Sequence, residues 1–82
     1  MNAVFSYNQS TKRYGMQFEG QVYHFTYDFQ NASVKTVWNE SGVLIAKSYK
    51  GFRNKLGIVP GSPKAQKLMD TIKQVKTIAV EA

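Results

Sequence analysis

The residues best suited to chemistry in this 82-residue chain are cations, and they cluster. No acid occurs between Glu40 and Asp70, whereas Lys47, Lys50, Arg53, Lys55, Lys64 and Lys67 fall inside that interval. Tyr49 and Phe52 lie among them, and Gly51 and Gly57 let backbone approach a ligand closely. Ammonium and guanidinium groups neutralise phosphates, and aromatic rings stack on unpaired bases. The expected contacts are Lys47, Lys50, Arg53, Lys55 and Lys64 to phosphates, with Tyr49, Phe52 and Trp38 stacking on bases. The same residues also describe a solvated loop that Phe52 and Leu56 merely anchor to the core. Residues 51–57 (GFRNKLG) lack the Gly-Lys-Ser/Thr ending of a P-loop. A helix starting at Ser62–Ala65, with Lys64 beside it, is a common and unspecific place for a phosphate.

Other chemistry is thin. His24 is the only histidine and cysteine is absent, so a Cys-based zinc site is excluded. Asp28 shares a strand face with His24, but four residues at ~3.3 Å each put them about 13 Å apart. No nucleophile elbow is present, and nothing marks one of the tyrosines as activated. The chain therefore yields no catalytic residue, no metal and no cofactor, and a non-enzymatic role is expected.

Composition bounds the partners. Eleven Lys or Arg against five acids give a net charge of +6, which attracts polyanions: nucleic acid, an anionic membrane surface or an acidic protein. No charged region followed by an apolar run opens the chain, so no signal peptide is expected. Apolar runs such as Val43–Ala46 are too short to span a bilayer. A small chain without disulfides points to a reducing, cytoplasmic setting.

The elements that must position these residues follow from periodicity. Alternation marks strands at Ala3–Asn8, Tyr14–Glu19, Val22–Phe29, Val34–Asn39 and Val43–Tyr49, with a tight turn at Gly20-Gln21. Ala3, Phe5 and Tyr7 are expected on one face, as are Val34, Thr36 and Trp38. Tyr23, Phe25, Tyr27 and Phe29 also gather on one face, as core beneath a helix or as a base-stacking platform. The core reading is preferred because one sheet face must be covered. Residues 50–62 read as a basic Gly/Pro-rich loop, with a short extended piece at Leu56–Val59. Ser62 suits an N-cap and Pro63 the first helical position. From there to about residue 79, Ala65, Leu68, Met69, Ile72, Val75 and Ala79 form an apolar stripe.

The expected fold is α+β, one domain over residues 1–82. A four- or five-stranded antiparallel meander (about 3–49) carries one C-terminal helix (about 63–79) on one face. The expected function is nucleic-acid binding, DNA or RNA and single-stranded before duplex, through the basic loop. The alternative is a small inhibitor or adaptor, of the kind found among phage or plasmid accessory proteins, that meets an acidic protein through a sheet edge or the open face. Free edges also allow a homodimer. Membrane-surface binding is weaker, because the helix lacks bulky aromatics to insert.

Overall fold

A computed structural model describes the backbone of residues 2–81 and the side chains through Ile78. Strands β1 (Ala3–Asn8), β2 (Arg13–Phe18), β3 (Gln21–Asp28), β4 (Ser33–Asn39) and β5 (Leu44–Ala46) form one sheet in that order. Every neighbouring pair is antiparallel. Helical segments α1 (Tyr49–Lys55), α2 (Pro63–Lys73) and α3 (Val75–Glu81) complete the α+β fold.

Turn chemistry sets the meander. Glu19 and Gly20 take φ of 51° and 78°, the two left-handed positions of a two-residue hairpin turn. The turn thus sits one residue earlier than Gly20-Gln21, and Gln21 already pairs with Phe18. The β1–β2 and β3–β4 loops share one device. Asn8 Oδ1 accepts from the N–H of Ser10 at 2.9 Å, and Asp28 Oδ1 from that of Gln30 at 3.0 Å. Each loop then closes through a left-handed residue, Lys12 or Ala32. Such side-chain turns are what Asn and Asp favour.

Two bulges revise the expected faces. The β1–β2 register shifts between Val4 and Ser6, and the β3–β4 register between Thr26 and Tyr27. An extra residue in one strand turns every later side chain to the other face. Val4 and Tyr7 therefore face the core side, with Phe5 left 56% exposed. Across from Tyr27 and Phe25 stand Val34 and Val37, both buried, while Trp38 pairs with His24 on the opposite face. The aromatic row does pack the core, but Phe29 follows the last residue of β3 and stays exposed.

The helical side departs most from expectation. The fifth strand ends at Ala46, and the first part of the expected loop is helix α1. Ser48 caps it, its Oγ accepting from the Gly51 N–H at 3.0 Å. Phe52 then drops from α1 into the core, where its ring meets Tyr23 edge-on at 5.0 Å. At α2 the expected start holds: Ser62 Oγ accepts from the Ala65 N–H at 3.2 Å, and Pro63 follows. Ala65, Leu68, Ile72 and Val75 are buried, whereas Met69 is exposed. Ala79 lies outside the described side chains. The expected single helix is interrupted at Gln74, whose Oε1 accepts from the Val4 N–H of edge strand β1 at 3.0 Å. All helical segments cover one face: α1 lies over β4 and β5, and α2 over β1 and β2.

Candidate nucleic-acid interface

Because α1 and α2 cover opposite margins of the sheet, a groove opens between them. Its floor is Tyr27 of β3 and Val34 of β4. Tyr49 and Arg53 are four residues apart on α1, so both reach one flank. Met69, Lys73 and Lys76 follow the same spacing rule along the facing helical flank. The groove has two adjoining hollows of about 150 and 380 Å³, which share Tyr49 and Met69. No acidic side chain lines either hollow among the described residues. Asp70, the acid of α2, instead accepts from Gln66 Nε2 at 2.9 Å.

Local packing fixes the groove's polar groups. The Tyr49 hydroxyl reaches the Ala65 carbonyl at 3.5 Å, a weak tie between α1 and α2. The Arg53 guanidinium carbon stands 5.7 Å from the Tyr49 ring centroid. Arg53 Nε is buried and has no hydrogen-bond partner. Burial raises the Tyr27 hydroxyl above its ordinary pKa, so the floor stays neutral in the physiological range.

Apart from Trp38, the expected contact residues do not form one patch. Tyr49 and Arg53 line the groove. Lys47, Lys50 and Lys55 are exposed on or beside α1, outside both hollows. Lys64 lines a separate hollow of about 80 Å³ with Glu19 and Leu56. Phe52 is fully buried, so it cannot stack on a base as expected: its ring is part of the core. Tyr27, Met69, Lys73 and Lys76 were absent from the sequence-based set. The four- and three-residue spacing of Met69, Lys73 and Lys76 was the signal for the last three.

The uncovered sheet face carries a second group. The Arg13 guanidinium lies 3.6 Å from the Trp38 ring centroid, a cation–π contact. With Ser6, Asn8, Thr11 and His24, Arg13 borders a shallow basin of about 710 Å³. Gly15 is buried beneath Phe5 and Ser6, and an added Cβ there would run into the Ser6 hydroxyl and the Phe5 ring. Trp38 therefore stands on the face opposite the groove, already stacked by Arg13.

No family model, curated protein or solved structure matches this chain. Among the described residues no cluster of potential metal ligands forms, and no helix is long and apolar enough to cross a membrane.

Proposed function

We propose that this chain is a non-enzymatic nucleic-acid-binding module that takes DNA or RNA on the helical side of its sheet. The observation that carries the reading is the acid-free groove lined by Arg53, Lys73 and Lys76, with Lys47, Lys50 and Lys55 exposed elsewhere on or beside α1. Cations without carboxylate neighbours keep their charge for an incoming phosphate, and releasing counterions from that phosphate drives binding.

A salt titration tests the proposal. Engagement of Lys50, Arg53, Lys73 and Lys76 with one phosphate each gives a slope of log affinity on log salt of about −3 for a single strand. Failure to bind any oligonucleotide at low salt contradicts it.

A second reading rests on Phe5, Val43 and Leu44, which are 56%, 59% and 45% exposed. Leu44 pairs with Trp38, and Phe5 packs over Gly15, so both belong to the uncovered face. Apolar groups there suit a protein partner. A complex that survives nuclease treatment favours this second reading.

A further inference from the structure

We infer that the smaller hollow of the groove receives one unpaired pyrimidine base, which makes the module selective for single strands. The inference rests on the nucleic-acid reading and goes further, naming the part of the ligand and its seat.

Size comes first. The hollow over Tyr27 and Val34 measures about 150 Å³. An apolar cavity of about that volume holds one benzene-sized ring. One six-membered base fills it, and the second ring of a purine would extend past it toward the adjoining hollow. The lining agrees with such a guest. Tyr27 and Tyr49 offer aromatic surface, and Met69 offers a polarisable thioether that adapts to a flat ring.

Charge complementarity selects the rest of the ligand. Lys73 and Lys76 line the same hollow, and Arg53 lines the adjoining one. A nucleotide seated in the groove therefore meets apolar walls at its base and cations on both sides of its backbone. In a duplex each base is held in the stack and cannot enter a side pocket without being flipped out.

The test compares a short oligothymidylate, an oligoadenylate, an abasic phosphodiester strand of equal length and a duplex, all at one salt concentration. The expected result is oligothymidylate binding roughly tenfold tighter than the other three, the scale of one stacked base. Tyr49→Leu removes the ring while keeping apolar volume. It should cut oligothymidylate affinity about tenfold and erase the preference over the abasic strand, whereas Tyr49→Phe keeps that preference. Equal affinity for the abasic strand overturns the base seat and leaves the cationic reading standing. Equal affinity for oligoadenylate overturns the pyrimidine assignment. Binding of polyglutamate as tight as oligothymidylate assigns the groove to an acidic peptide and overturns the inference. No binding of any strand removes the underlying reading as well.

Discussion

The two faces of this sheet both carry cations and aromatics, yet they use them differently. On the uncovered face, Arg13 lies 3.6 Å from the Trp38 ring, so its charge is already engaged by an aromatic quadrupole. On the helical face, Lys73 and Lys76 line a groove with no acidic wall, and Arg53 keeps a donor unpaired. The basin on the uncovered face is the larger, at about 710 Å³ against 150 Å³ for the hollow over Tyr27. Size therefore does not identify the ligand face here. What distinguishes the groove is an apolar lining beside three cations, Arg53, Lys73 and Lys76, whereas the basin, equally free of acids among the described residues, is lined mostly by polar groups.

The strongest way to break the comparison is to remove the packing that forms the groove. Phe52→Ala should cost about 3–5 kcal/mol of stability, measured by urea unfolding, because its ring is fully buried against Tyr23. An exposed stacking residue would give a change near zero. Gly15→Ala probes the opposite face and should cost about 1 kcal/mol, because the Ser6 hydroxyl and Phe5 ring that its Cβ meets end exposed side chains that can turn aside. Oligonucleotide affinity of the folded fraction should not change, since Gly15 faces away from the groove.

Fold and site were unequally legible in the sequence. Alternation in Val22–Asp28 and the Ser62-Pro63 pair gave β3 and the start of α2 directly, because both signals are local. The bulges beside Phe5 and Tyr27 were not readable, because an extra residue shows only when the partner strand is in place. Helix α1 was hidden for a related reason. Seven residues with one apolar anchor and an internal glycine do not make a stable helix alone, and tertiary packing of Phe52 provides what propensity lacks. The cationic interval was plain in the sequence, but its residues scatter over several surfaces once α1 and α2 form. Only Tyr49 and Arg53 of the expected set reach the groove.

A smaller effect sharpens the contrast through pH. Burial raises the hydroxyls of Tyr14, Tyr23 and Tyr27 above the ordinary value of 10.0, with nearby Tyr7 and Tyr27 adding to the rise at Tyr14. A raised folded-state pKa means the neutral form is favoured by folding. The contribution is fully present below pH 10 and is lost as pH climbs through the folded values. Thermal melts should therefore fall progressively above that pH, and the Tyr27→Phe variant should fall less steeply. The smallest expected effect is that of Arg13→Ala. Loss of its cation–π contact should cost about 0.5–1 kcal/mol and leave oligonucleotide affinity within about twofold. A large loss of affinity would move the binding face to Trp38.

The most direct test of the face assignment is a map of backbone amide chemical shifts during titration with a short oligothymidylate at low salt. The predicted result is saturable shifts concentrated at Tyr49, Arg53, Met69, Lys73 and Lys76, with Ser6, Gly15, His24 and Trp38 unmoved. Shifts concentrated on the second group, with the groove silent, would contradict the account.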